Sequence, residues 1–310
     1  MTKTAFVFPG QGSQSVGMLS ELVESSEIVR DTFSEASDAL EFDLWQLISS
    51  GPKDQLDQTD NTQPALLASS VAIWRHYLEI GGTAPIVLAG HSLGEYSALT
   101  CAGVIELTDA IKLVRARGQY MQEAVPAGTG AMAAVLGLEQ NDIIEICSAE
   151  AQDEVVSAVN FNSPGQVVIA GHKAAVERAG AACKNAGAKK VMPIPVSVPS
   201  HCELMKPAAE KLAQVMEDMT FKSPQIPVIN NVDVAIETES ENIRGALVRQ
   251  LYCPVRWTET VMAISGKGAE SLIECGPGKV LTGLAKRIDK SLKGVAINNP
   301  ESISALVNQT

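Results

Sequence analysis

The segment Ile86-Val87-Leu88-Ala89-Gly90-His91-Ser92-Leu93-Gly94-Glu95 decides how this chain is read. An apolar run leads into a glycine-flanked serine, and the helix-forming stretch Glu95 to Cys101 follows. Strand, tight turn, helix is the order a nucleophilic serine requires. The flanking glycines let the chain reverse in a strained turn, so the hydroxyl projects from the end of a strand with a helix N-terminus behind it. Gly-x-Ser-x-Gly by itself is a short pattern that arises by chance, and a glycine-rich βα turn can also serve packing or phosphate binding. The strand–turn–helix context is what makes Ser92 the candidate nucleophile.

Outward from that turn, strands alternate with helices. Thr4 to Phe8 reads as a first strand, followed by the glycine-rich turn Pro9-Gly10-Gln11-Gly12-Ser13-Gln14. Gln63 to Ile80 reads as a helix with Pro64 near its first turn, where proline is tolerated. Residues 85–89 form the strand before the elbow. This alternation predicts an α/β fold, a large α/β-hydrolase-like domain with a mainly parallel sheet covered by helices. The middle of the chain differs. Ala131 to Leu136, Val155 to Asn160, Gln166 to Ala170 and Lys190 to Val196 read as strands. Helices at Gln140 to Ala149 and Ala174 to Ala186 complete a β-α-β-β-α-β order, which is that of a ferredoxin-like unit. The expected organisation is a catalytic domain built from 1–127 and 198–310, with a ferredoxin-like subdomain inserted at 128–197. A cleft between the two is a natural place for substrate.

Composition bounds the function class. A chain of 310 residues, 45% hydrophobic, can bury a sizeable core. Its net charge of −12 argues against nucleic acid, because neutralising phosphates needs a basic surface. No apolar run approaches the length of a membrane span, and Met1-Thr2-Lys3-Thr4 leads straight into a strand, so a cytoplasmic protein is expected. The six cysteines show no Cys-x-x-Cys pair and no His-Cys metal spacing. They read as reduced, mostly buried thiols, with Cys202 beside His201 the one of interest, and no metal or cofactor is expected. Nothing resembling a coiled coil or a long apolar edge demands an oligomer, so a monomer is expected.

A serine nucleophile needs a base, and the chain has four histidines. His76 lies in an amphipathic helical stretch and reads as a packing or surface residue. His172 opens a helix in the inserted unit. His91 adjoins Ser92, and neighbours in a strand-like turn point to opposite sides. His201, on the loop after Pro199-Ser200, remains as general base by elimination. No acidic residue stands out to orient it, and a neutral carbonyl can fix the imidazole tautomer instead.

Arg117 breaks a clean pattern. In the helix Asp109 to Glu123, the positions Ala110, Leu113, Val114, Gly118 and Met121 form an apolar stripe, and Arg117 falls on it while Arg115 does not. A guanidinium on a core-facing side costs several kcal/mol unless it is paired. It is therefore in an internal ion pair, snorkelling to a rim, or clamping a substrate carboxylate with its planar fork.

The ordered set Phe8-Pro9-Gly10-Gln11-Gly12-Ser13-Gln14, Thr62-Gln63-Pro64-Ala65, Gly90-His91-Ser92-Leu93-Gly94-Glu95, Arg117-Gly118-Gln119-Tyr120-Met121-Gln122 and Val198-Pro199-Ser200-His201 resembles the malonyl-CoA:acyl carrier protein transacylases of bacterial fatty acid synthesis. Cys253-Pro254-Val255-Arg256-Trp257 and Glu274-Cys275-Gly276-Pro277-Gly278 extend the resemblance nearly to the end of the chain. It implies that Ser92 carries the acyl group and His201 is the base. It further implies that the backbone N–H groups of Gln11 and Leu93 form an oxyanion hole, and that Arg117 binds the malonyl carboxylate. Gln250 is implied to offer its backbone carbonyl to His201. His91, Gln63, Met121 and the pair Asn160 and Asn162 are implied to line the acyl pocket. The implied partners are malonyl-CoA and acyl carrier protein, whose phosphopantetheine is the acceptor. Val198-Pro199-Ser200 does not match the specificity signatures of related modular synthase domains, so malonyl over methylmalonyl is a family expectation alone.

Two other classes share features with this reading. A serine esterase of the α/β-hydrolase type has Gly-x-Ser-x-Gly, in the order Ser, Asp or Glu, His. Here no acidic residue between 92 and 201 presents itself as a triad member. A non-catalytic scaffold that docks carrier protein has no need of Arg117 on an apolar stripe beside a nucleophile elbow.

Overall fold

Thr4–Phe8 (β1) is apolar on both faces because both are covered: Ala5 to Phe8 have no solvent-exposed surface. A computed structural model describes residues 3–126, 128–195 and 198–309. Eight further strands follow β1 within them. They are Val87–Gly90 (β2), Gly130–Leu136 (β3), Val156–Ser163 (β4), Gln166–His172 (β5), Lys190–Ile194 (β6), Val228–Ile229 (β7), Ser271–Cys275 (β8) and Lys293–Ile297 (β9). Five of these nine form one parallel sheet in the order β7-β2-β1-β8-β9. The remaining four form an antiparallel sheet in the order β4-β5-β3-β6. No helix among the described residues is long and apolar enough to cross a membrane.

The register of the parallel sheet places the site. Phe8 at the end of β1 pairs with Gly90 at the end of β2, so the turn after Phe8 and the turn after Gly90 leave the same edge side by side. Carboxyl ends of parallel strands are where α/β folds build their sites. The glycines of the elbow act differently from the expectation. Neither Gly90 nor Gly94 has a positive φ; Ser92 does, at φ 53°. What the glycines supply is proximity. A Cβ on Gly94 would stand 2.0 Å from the Phe8 carbonyl oxygen, and one on Gly90 would stand 1.8 Å from the Gly94 carbonyl carbon. Strand and helix approach backbone to backbone, and the serine takes the positive φ itself.

The helix expected from Gln63 begins four residues earlier and spans Thr59–Glu79, with Pro64 inside it. Pro64 has no N–H to offer the carbonyl one turn back. The turn before it is held by other bonds: Thr62 N–H donates to the Gln58 carbonyl at 2.8 Å, and Thr62 Oγ1 donates to the Leu56 carbonyl at 2.5 Å. The early start matters because the helix Leu107–Ala124 crosses at this point. A Cβ on Gly118 would be 2.6 Å from Asp60 Cα. That contact brings Gln63 beside Arg117.

The antiparallel sheet carries the helices Gln140–Ala151 and Lys173–Asn185 and has its own core around Val135, Ile143, Val167, Ile169 and Val176. Its strand order and connections are ferredoxin-like, as expected. The expected boundaries fall at residues 127 and 197, and the expected end of the last strand at Val196; these lie outside the described residues. The subdomain is also tied to the parallel domain away from those boundaries. Val255 N–H donates to the Val159 carbonyl at 2.8 Å, and Phe161 N–H donates to the Val255 carbonyl at 3.0 Å. This parallel bridge fixes where β4 presents Asn160 and Asn162.

Candidate active site

Between the two sheets lies a cavity of about 280 Å³. Gln11, His91, Ser92, Leu93, Arg117 and His201 are on its wall, with Met121, Asn160 and Asn162. Gln63 and Gln250 are not; both are fully buried behind Arg117. The sequence-derived set thus divides into residues that face the cavity and residues that hold them.

Ser92 Oγ lies 2.8 Å from His201 Nε2, and the other ring nitrogen, Nδ1, lies 2.7 Å from the Gln250 carbonyl. A carbonyl can only accept, so Nδ1 carries the proton and Nε2 presents a lone pair to the serine. No carboxylate takes part in this arrangement. His201 is 3% exposed, and burial, followed by the positive charge of Arg117, pushes its pKa down to about 3. The imidazole is therefore neutral at ordinary pH and free to accept a proton.

The Arg117 stripe is buried as expected, and Arg117 itself is 2% exposed. Neither an ion pair nor snorkelling accounts for it. Nη1 donates to Gln63 Oε1 at 2.8 Å, and Nη2 donates to Gln250 Oε1 at 3.1 Å and to Ser92 Oγ at 3.3 Å. These acceptors are neutral, and no carboxylate stands within ion-pair distance among the described residues. The guanidinium also lies over the Tyr96 ring at 5.4 Å. It is a buried cation aimed at the nucleophile, with no anionic group in direct contact with it among the described residues.

The backbone N–H groups of Gln11 and Leu93 have no hydrogen-bond partner among the described residues. They come from the two turns that leave β1 and β2 side by side. The Gln11 side chain is anchored: its Oε1 accepts from Thr59 Oγ1 at 3.1 Å, and Thr59 Oγ1 accepts from Gln63 Nε2 at 3.0 Å. His91 is turned away from Ser92, as expected. Its Nε2 meets Asn162 Oδ1 at 2.8 Å, and its ring packs on Trp257 with centroids 5.4 Å apart. Burial lowers its pKa. His76 bonds Ser26 Oγ at 3.1 Å, and His172 accepts the Val155 N–H at 2.9 Å; both are structural. Burial pushes the Cys202 thiol up to about 11, which leaves it un-ionised and inert beside the base. No group of three or more His, Cys, Asp or Glu among the described residues could hold a metal ion.

Asn231 and Glu95 belong to the site and were not singled out from the sequence. Asn231 Oδ1 accepts the Ser92 N–H at 2.7 Å, while its Nδ2 donates to the Gly90 carbonyl at 2.6 Å. Glu95 sits beneath them, 2% exposed. A serine with a neutral, oriented histidine, two free N–H groups and a buried guanidinium beside it is the arrangement of a serine acyltransferase site.

Comparison with known proteins agrees. Residues 5–302 match the acyl transferase domain family. The chain is 60% identical over 309 residues to the malonyl CoA-acyl carrier protein transacylase of Salmonella typhimurium, covering 100% of both. It is 61% identical over 305 residues to that of Escherichia coli K12, covering 98% of this chain and 99% of the other. A solved malonyl-transacylase in complex with a type II polyketide synthase acyl-carrier protein superimposes with a TM-score of 0.99 at 59% identity, over 100% of both chains. The acyl carrier protein S-malonyltransferase of Vibrio cholerae gives 0.97 at 63% identity, over 98% of this chain and 100% of that one. The chain belongs to the malonyl CoA-acyl carrier protein transacylase family.

Proposed function

We propose that this enzyme moves malonyl from malonyl-CoA to the phosphopantetheine thiol of acyl carrier protein through a malonyl ester on Ser92. His201 Nε2 takes the Ser92 proton as Oγ attacks the thioester carbonyl. The N–H groups of Gln11 and Leu93 receive the oxyanion that forms. The C–S bond breaks, and the imidazolium returns its proton to the departing CoA thiolate. In the second half the carrier thiol gives its proton to His201 and attacks the ester; the C–O bond breaks and Ser92 recovers its proton. The observation that carries this reading is the position of Arg117, a buried guanidinium 3.3 Å from the nucleophile with only neutral acceptors around it. A malonyl group on Ser92 supplies the missing carboxylate. His91, Met121, Asn160 and Asn162 line the space the acyl chain would fill. The expected setting is cytoplasmic fatty acid elongation.

Intact mass after incubation with malonyl-CoA, with the modified peptide mapped, tests the reading. A single malonyl adduct on Ser92, released by a thiol acceptor as a malonyl thioester, is the expected result. Release as free malonate alone would identify an esterase, and no adduct would leave a docking scaffold. Ser92→Ala should gain no mass.

A further inference from the structure

Three groups, the nucleophile, the base and the guanidinium, are each linked through Asn231 or Gln250 to one buried carboxylate that the acyl-transfer steps above never touch. Glu95 lies in the first turn of the helix Leu93–Cys101. Its Oε2 accepts both the Asn231 N–H and Gln250 Nε2, each at 2.9 Å. Through Asn231 it reaches the nucleophile, because the Asn231 amide bridges Ser92 N–H and the Gly90 carbonyl across the strained elbow. Through Gln250 it reaches the other two groups. The Gln250 backbone carbonyl holds His201, and Oε1 accepts from Arg117. Gln250 Nε2, which also donates to the Ser92 carbonyl at 3.0 Å, can only donate. Glu95 and the Ser92 carbonyl together therefore fix which end of that amide faces the guanidinium. A flipped amide would set N–H against N–H.

We propose that Glu95 is a positioning residue for acyl transfer: its carboxylate locks Asn231 and Gln250 so that nucleophile, base and guanidinium stay in one array, and it is the counter-charge of Arg117 across the Gln250 amide. The second half of this statement rests on Arg117 receiving the malonyl carboxylate.

Since both donors converge on one oxygen, glutamine at 95 keeps an acceptor for both and loses only the charge. Alanine loses both. Assays belong at pH 8.5, above the value of about 7 to which burial raises this carboxyl, so that the wild type is ionised. Glu95→Gln should lower the KM for malonyl-CoA about threefold or more, because an uncompensated guanidinium draws the malonyl carboxylate more strongly. It should lower kcat about tenfold, because the imidazolium forming at His201 then lacks the negative charge that Glu95 holds across the Gln250 amide. Glu95→Ala should lose about a hundredfold in kcat with no fall in KM, since the array itself is released. A packing role predicts equal losses in both variants that track their melting temperatures. A KM for Glu95→Gln at or above the wild-type value overturns the charge role, and equal kcat in the two variants overturns the positioning role. The malonyl adduct on wild-type Ser92 is the control: its absence refutes the reaction, whereas its presence with an unshifted KM refutes the Glu95 assignment alone.

Discussion

Arg117 Nη2 donates to Ser92 Oγ at 3.3 Å, on the oxygen that faces His201 Nε2 at 2.8 Å. A guanidinium can only donate, so it occupies a lone pair of the hydroxyl and leaves the serine proton to point at the imidazole. The resting enzyme thereby orients its nucleophile with the group expected to recognise the substrate. When a carboxylate engages Arg117, it also offsets the charge that helps hold the His201 pKa near 3. A dicarboxylic acyl group should strengthen the base that attacks it, and an uncharged one should not.

Two buried groups give stability a pH signature that can be separated by one variant. Burial raises the Glu95 carboxyl from 4.5 to about 7. Between those values the native state holds a proton that the unfolded chain has released. The contribution of Glu95 is therefore fully present below about pH 4.5 and is lost as pH rises through about 7. His201 has the opposite sign: its folded value of about 3 lies below 6.5, so stability is lost as pH falls from 6.5 toward 3. Comparing wild type with Glu95→Gln cancels the histidine. Wild-type stability relative to that variant should decline by at most about 1.4 kcal/mol per pH unit between pH 4.5 and 7 and then level off. Denaturant midpoints at matched pH measure it, and a constant difference would show that the carboxyl ionises normally.

How far the sequence revealed the site depends on how each residue is marked by its neighbours. Ser92 is announced by an apolar run before it and glycines around it, and Arg117 by being the charged residue on an apolar stripe. His201 emerges because His76 lies in a helix, His172 opens one in the other subdomain, and His91 is on the wrong side of the elbow. Asn231 and Glu95 carry no such mark. Asn231 lies in the polar stretch after the two-residue strand β7, where an asparagine reads as an ordinary turn residue. Glu95 lies in the first turn of a helix, where an acidic side chain is welcome in solvent. Their importance arises from pairs 136 and 155 residues apart in sequence, which only the sheet register brings together. The role of Gln250 came from family resemblance, since a backbone carbonyl has no signature in side chains. The subdomain was legible because its hairpins and helices are local. In the parallel sheet, β1 and β2 were legible, while β7, β8 and β9 pair only through long crossovers.

The elbow glycines should be intolerant for a reason separable from catalysis. Gly94→Ala places a methyl group 2.0 Å from the Phe8 carbonyl oxygen, so β1 and the helix Leu93–Cys101 must separate. The cost should be about 3 kcal/mol or more, read as a drop in the denaturant midpoint. Gly283→Ala is the contrast, because nothing lies within 4 Å of its Cβ and it is in a helix. It should be neutral or slightly stabilising, by up to about 1 kcal/mol. Equal effects at both positions would show that the close approach at Gly94 is not what fixes the residue.

Carrier docking needs a local basic patch on a chain whose net charge is −12. Lys184, Lys189 and Lys190 are exposed on the inserted subdomain, and Lys286, Arg287 and Lys290 are exposed after the Gly276-Pro277-Gly278 turn. The second set lies at the end of the helix Val280–Ile288, whose Val280, Leu281 and Leu284 line the cavity. Arg287 also donates to Gln166 Oε1 at 2.7 Å, clasping the two subdomains, so it is better left intact in a test. Lys286→Glu with Lys290→Glu should raise the KM for acyl carrier protein about tenfold and weaken its salt dependence. Acylation by malonyl-CoA should be unchanged. An unaltered carrier KM would move docking to another face.

Arg117 should set the choice of acyl group. With malonyl on Ser92 its fork pairs with the free carboxylate; with acetyl, a desolvated cation is left with only the Gln63 and Gln250 amides and the serine oxygen. Losing one such buried charge pair is worth about 3–5 kcal/mol, which is about a hundredfold or more in kcat/KM. Arg117→Ala should therefore cut malonyl transfer by about that factor. It should also raise acetyl transfer toward or above the remaining malonyl rate, because the penalty against an uncharged group is gone. Arg117→Lys should recover only part of the malonyl activity, since an ammonium cannot bond Gln63, Gln250 and a carboxylate in one plane. Removing the guanidinium should also let the His201 pKa rise, since its charge is the second cause of the depression after burial. The acid limb of acetyl transfer in Arg117→Ala should then lie at higher pH than in the wild type. Measuring kcat/KM for both thioesters against pH, with a melting curve for each variant, checks all of these. A malonyl-to-acetyl ratio unchanged in Arg117→Ala would assign the guanidinium to packing, however close it lies to the serine.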